Sequence, residues 1–226
     1  MTKLLEAIEI ETGRNPAAAV IWMHGLGADG NDFVPIVDEL GLHGTPAVRF
    51  IFPHAPMRPV TINNGYVMRA WYDVSYGDLE GKSRRADEQG VRASQAQIGA
   101  LIARENGRGI PAQAIVLAGF SQGGAIALHT GLRNPERLAG VMALSTYLPL
   151  AESLPAEASE ANRKTPIFMA HGLQDPVVPL MMGAGSMTFL TGLGYPVEWH
   201  QYPMPHSVCA EEVGHIGAWL RRVLRP

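Results

Sequence analysis

At 226 residues, 46% hydrophobic and 17% charged, the chain is long enough to bury one substantial core and short for two, so a single domain is expected. A net charge of −3 excludes the basic excess that nucleic acid or an anionic membrane surface would demand. No run reaches the ~20 apolar residues of a transmembrane helix.

Lys3, Glu6, Glu9 and Glu11 interrupt the N-terminal stretch to Gly13, which therefore lacks the apolar region of a signal peptide. Ala17–Met23 reads as a strand, followed by a turn at His24–Gly30 and a helix from about Asn31 to Leu40. Val48–Phe52 is a second strand, stopped by Pro53. The stretch from His54 to Lys82 is rich in Pro, Gly and Asn, and its length marks it as functional rather than a simple connection. A long helix is expected over Arg84–Glu105, with Val91, Ile98, Leu101 and Ile102 toward the core. Ala114–Ala118 is nearly continuous apolar, as in a strand covered on both faces, and a helix follows over Gln122–Leu132. Leu138–Ser145, Pro166–Ala170 and Val197–Tyr202 are further strands. Val213, Ile216, Gly217, Leu220, Val223 and Leu224 recur at helical spacing in a closing helix. Strands alternating with helices predict an α/β fold, a mainly parallel sheet with helices on both faces and functional residues at the carboxyl ends of the strands. Thr146–Thr165 is too short to build a large cap domain.

Chemistry concentrates at those strand ends. Gly119-Phe120-Ser121-Gln122-Gly123 is a G-x-S-x-G motif directly between a predicted strand and a predicted helix. A serine on so sharp a turn is held in a strained conformation, and the flanking glycines let neighbouring backbone approach. Ser121 is the candidate nucleophile. A hydroxyl needs a base to take its proton, and the base needs an orienting acid. In this fold they follow in the order Ser, acid, His. Asp175 is the one aspartate after Ser121, just beyond the strand Pro166–Ala170. Among the later histidines, His171 precedes the acid, His200 falls within a strand and His215 on the closing helix. His206 lies in a proline-restricted loop between the last strand and the last helix, and is the candidate base. His24-Gly25-Leu26-Gly27 follows the first strand and can present a backbone N–H. With the amide after the nucleophile, it makes Leu26 and Gln122 the candidate oxyanion donors. The same turn lacks G-x-G-x-x-G and a Walker lysine, which argues against a nucleotide loop. Cys209, close to His206, is read as a buried small residue and not as the nucleophile. As the single cysteine it excludes an internal disulfide framework and suits a reducing compartment, so a cytoplasmic location is expected.

The segments HGLGADGNDF (His24–Phe33), FPHAPMRPVTINNG (Phe52–Gly65), AWYD (Ala70–Asp73), GFSQGGA (Gly119–Ala125), HGLQDPVVP (His171–Pro179) and PHSV (Pro205–Val208) span most of the chain. In that order they resemble the carboxylesterase/acyl-protein thioesterase family, also called phospholipase/carboxylesterase, of α/β-hydrolases. The resemblance implies a serine hydrolase that cleaves carboxylic esters, with acyl thioesters and lysophospholipids as alternatives. It implies no cofactor and no metal, Ser121, Asp175 and His206 as the triad, and Leu26 and Gln122 as oxyanion donors. Pro203 and Pro205 depart from the glycine the family often has before its triad histidine. A non-catalytic binding protein on the same fold is the rival class.

The His54–Lys82 loop is the expected wall of an open acyl groove. Trp71 is the leading candidate, with Met57, Tyr66, Met68 and Tyr72 beside it; packing of the same side chains onto the core is the competing expectation. The partners read from the chain are an ester with a small or linear acyl group, and a second copy in a homodimer formed through the exposed apolar loop.

Overall fold

The computed structural model describes residues 4–75, 77 and 87–225. Its centre is a seven-stranded sheet made of β1 (Ala7–Glu11), β2 (Ala18–Met23), β3 (Val48–Pro53), β6 (Ile115–Phe120), β7 (Gly140–Leu144), β8 (Ile167–Gly172) and β9 (Val197–Tyr202). The order is β1-β3-β2-β6-β7-β8-β9, with β1 antiparallel to β3 and every other pair parallel. A separate antiparallel hairpin joins β4 (Met57–Val60) to β5 (Tyr66–Arg69), inside the stretch that sequence patterning leaves irregular.

The apolar runs are continuous because the sheet is buried on both faces. In β2, Ala19, Ile21 and Met23 enter one core layer while Ala18, Val20 and Trp22 enter the other. Strand β6 divides likewise, Ile115 and Leu117 against Val116 and Ala118. The helices α2 (Glu88–Gly107), α3 (Gln122–Gly131) and α5 (Leu180–Gly192) supply Ile98, Leu101, Leu128 and Leu190 to the first layer. The second is closed by α1 (Ile36–Glu39) and α6 (Ala210–Val223), through Ile36, Val37, Ile216, Trp219 and Leu220. Between β7 and β8 the chain makes two single 3-10 turns and the four-residue α4 (Leu154–Glu157), and no large cap stands there.

The predicted strands are present with ends shifted by at most two residues, and four further elements differ. The helix expected over Asn31–Leu40 is reduced to α1, because the segment before it forms turns closed by bonds such as Asp32 N to Asp29 O. The start of the helix expected from Arg84 lies outside the described residues; from Asp87, which caps it by accepting from Gly90 N, it runs on to Gly107. Strand β1 and helix α5 were not expected at all.

Candidate active site

Four loops meet at the carboxyl ends of β2, β6, β8 and β9, and close backbone approach is what brings them together. Ser121 leaves β6 with φ 53° and ψ −121°, a conformation side chains rarely adopt, and α3 begins at the next residue. Its N–H donates to Leu144 O at 2.8 Å, tying the turn to β7. Both motif glycines are required by space. A Cβ at Gly119 would overlap the backbone of Gly123, and one at Gly123 would overlap Met23 O and His24 O. The same device joins the two loops after β8 and β9, where a Cβ at Gly172 would overlap Met204 O and Pro205 O.

The Asp175 side chain is fully buried, and its carboxylate accepts three hydrogen bonds. Oδ1 accepts from the amides of Val177 and Val178, each at 2.9 Å, and Oδ2 accepts from His206 Nδ1 at 2.7 Å. A carboxylate only accepts, so Nδ1 carries the imidazole hydrogen and Nε2 is left basic. The His206 ring rests on Phe120, the neighbour of Ser121, at a centroid distance of 4.7 Å. Ser121 Oγ makes no hydrogen bond to His206 among the described residues, an arrangement common before substrate binds.

Beside Ser121 stand two backbone amides without acceptors among the described residues. Gln122 is the first residue of α3, so its N–H has no partner within the helix. In the loop after β2, Gly27 N donates to Arg69 O and Ala28 N to Gly25 O, and the amide between Gly25 and Gly27 belongs to Leu26. This loop is held by His24, which is buried with both ring nitrogens engaged. Nε2 accepts from Ala55 N at 3.1 Å, so Nδ1 carries the hydrogen and donates to Gly25 O at 2.7 Å. Burial outweighs that bond and pushes the His24 pKa down to about 4.

The His54–Lys82 loop walls the groove, but mostly through other side chains than those expected. A cavity of about 190 Å³ adjoins Ser121 and Gln122, walled by Leu26, Ile62, Tyr72, Val74, Tyr147, Val177 and Val178. Of the expected wall residues Tyr72 is there, and Trp71, Met68, Met57 and Tyr66 are not. Trp71 is 0% exposed; its indole donates to His24 O at 2.9 Å and its amide to Gln122 Oε1 at 2.7 Å. It therefore packs the loop onto the core. Met57 and Tyr66 stand 58% and 70% exposed on the hairpin, and Met68 lies against Gly27 with its sulfur accepting from Asn63. Sequence reasoning also missed the Gln122 side chain, which donates from Nε2 to Tyr72 O at 2.7 Å while accepting from Trp71. A glutamine after the candidate nucleophile carries no signal in sequence for a clamp on a loop fifty positions away.

A parallel sheet with a strained serine at the strand-to-helix turn, an acid after a later strand and a histidine after the last defines the α/β-hydrolase class. Residues 5–224 match the family model described as Phospholipase/Carboxylesterase. The chain belongs to this family, whose members are hydrolases acting on ester bonds. It is 40% identical over 215 residues to acyl-protein thioesterase 1 of Gibberella zeae, covering 92% of each chain. With acyl-protein thioesterase 1 of Neurospora crassa it shares 44% identity over 211 residues, 90% of this chain and 85% of that one. Among solved structures, Arabidopsis thaliana SOBER1 superposes with a TM-score of 0.84 at 32% identity, covering 92% of this chain and 99% of that one. None of the helices among the described residues is long and apolar enough to cross a membrane.

Proposed function

We propose that this chain hydrolyses acyl esters and acyl thioesters through Ser121, His206 and Asp175. The observation that carries the proposal is the strained Ser121 next to Phe120, against whose ring lies His206, itself bonded to Asp175 at 2.7 Å. Ser121 Oγ attacks the acyl carbonyl as His206 Nε2 takes its proton. Asp175 holds the imidazole and stabilises its charged form. The tetrahedral oxyanion accepts from the amides of Leu26 and Gln122, a kind of contact worth on the order of 10²–10³ in rate for each donor. His206 then returns the proton to the departing alcohol or thiol, and water repeats the sequence to release the acid.

The cavity supports an acyl chain as the group recognised. Its lining is mostly apolar, and a chain too long for its 190 Å³ runs out past the exposed Val177. The names of the relatives support thioesters as substrates here. The single cysteine supports a cytoplasmic location, and the exposed Met57, Tyr66 and Val67 support a homodimer through the hairpin. The chain is read as one domain throughout.

The test is the hydrolysis rate of p-nitrophenyl esters from acetyl to palmitoyl, with matched thioesters and Ser121→Ala in parallel. Rates are expected to be higher with medium or long acyl chains than with acetyl, with Ser121→Ala at background while its melting curve stays that of the wild type. Substantial turnover by that variant overturns the nucleophile assignment, and a profile highest at acetyl overturns the acyl cavity.

A further inference from the structure

His171 is a buried titratable group beside the site that takes no part in proton transfer. His171 lies on β8, fully buried, four residues before Asp175. Its Nε2 is 2.9 Å from Val178 O and 3.5 Å from Asp175 Oδ2. The shorter contact is the hydrogen bond, and because a carbonyl only accepts, Nε2 carries the hydrogen. Nδ1 has no hydrogen-bond partner, and α5 presses on it so closely that a Cβ at Gly183 would overlap the ring. Burial also holds the His171 pKa below the ordinary histidine value, so the ring stays neutral.

These contacts converge on one peptide segment. Val178 N–H donates to Asp175 Oδ1 at 2.9 Å, and Val178 C=O accepts from His171. Val178 is thus fixed at both of its backbone polar groups, one holding the carboxylate and the other held by the imidazole. Without the His171 bond, Val178 would keep only its amide bond to Asp175 Oδ1, a contact within the turn itself. Gly183 gives the ring its room, which accounts for a glycine in the first turns of a helix where it otherwise weakens the structure.

We infer that His171 is a positioning residue: by donating to Val178 O it fixes the Asp175–Val178 turn and so aims the Asp175 carboxylate at His206 Nδ1. The inference rests on Asp175 being the triad acid, and the test separates the two statements. Four proteins form a double-mutant cycle: wild type, His171→Leu, Asp175→Asn and the double variant. His171→Gln is the rescue, because its terminal amide nitrogen falls where Nε2 of the ring lies. Steady-state kinetics with a p-nitrophenyl ester are read beside melting curves.

His171→Leu is expected to lower kcat by about 10–100-fold, the range seen when an outer partner of a site ligand is removed. KM should change by no more than about twofold, since the residue touches no substrate. His171→Gln should restore most of kcat. On the Asp175→Asn background, His171→Leu should add almost nothing, because it acts through that carboxylate. Wild-type kcat in His171→Leu overturns the inference, as do losses that multiply in the double variant or a Gln variant no better than Leu. Should the Leu protein fail to fold, His171→Asn replaces it, keeping an amide donor too short to reach Val178 O. A near wild-type Asp175→Asn overturns the acid assignment and the inference with it. A crippled Asp175→Asn beside an unimpaired His171→Leu overturns the inference alone.

Discussion

Gln122 shows how much one residue does here: its backbone amide is a candidate oxyanion donor, and its side chain bonds the Trp71–Tyr72 backbone at both polar ends. Trp71 completes the link by donating to His24 O, within the loop that carries Leu26. Trp71→Phe keeps most of the packing and leaves that buried carbonyl unpaired, at about 1–3 kcal/mol. The expected result is a melting point lower by about 5 °C, with relative rates across acyl chain lengths parallel to the wild type. A changed chain-length profile would return Trp71 to the groove wall. The meeting of Asp175 and His206 was legible because their chain order and loop positions leave few competitors. The wall residues were not. A Met or aromatic in a loop looks the same in sequence whether it packs inward, as Trp71 does, or stands in solvent, as Tyr66 does.

Elements were legible where burial writes a period into the sequence. Strands β2 and β6 read as apolar runs because both faces are covered. Strand β1 escaped notice because Glu9 and Glu11 look like solvated charges, yet they face arginines. Arg49 pairs with Glu11 at 2.9 Å, and Arg108 with Glu9 at 2.9 Å. Helix α5 escaped because Gly183, Gly185 and Gly192 dilute its pattern and no polar stripe marks a solvent face. Helix α2 is anchored to the β1–β3 edge by Glu105, whose 0% exposed carboxylate lies 2.7 Å from Arg49, 2.9 Å from Arg104 and 3.0 Å from Arg108. Glu105→Ala leaves Arg49 buried and short of its closest partner, at roughly 3 kcal/mol. Urea unfolding should show a lower midpoint with an unchanged slope, and a loss under about 1 kcal/mol would mean water replaces the carboxylate.

At the scale of the whole molecule, stability depends on pH through groups held in the wrong charge state for water. Burial pushes His24 to about 4, and burial with Arg133 and Arg92 pushes His129 to about 3. Both stay neutral in the fold while the unfolded chain takes protons near 6.5. Their share of stability is full above that value and is lost as pH falls toward 4 and 3. Glu212 works in the other direction. Its carboxyl is buried, and burial raises its pKa to about 8 against the lowering effect of the Cys209 backbone amide. The unfolded carboxyl ionises near 4.5 and the folded one does not, so stability declines as pH rises from there to 8. Glu212→Gln is therefore expected to raise the melting point by about 5 °C at pH 8, and by a small fraction of that at pH 5. An equal gain at both would show that the charge is not the cause.

The close contacts at Gly119, Gly123, Gly172 and Gly183 carry a consequence for anyone mapping this enzyme by saturation mutagenesis. Selection for activity would return glycine at all four, with the intolerance of the reacting groups themselves. A map of sensitivity alone would then draw a catalytic centre twice its chemical size, half of it made of atoms that are not there.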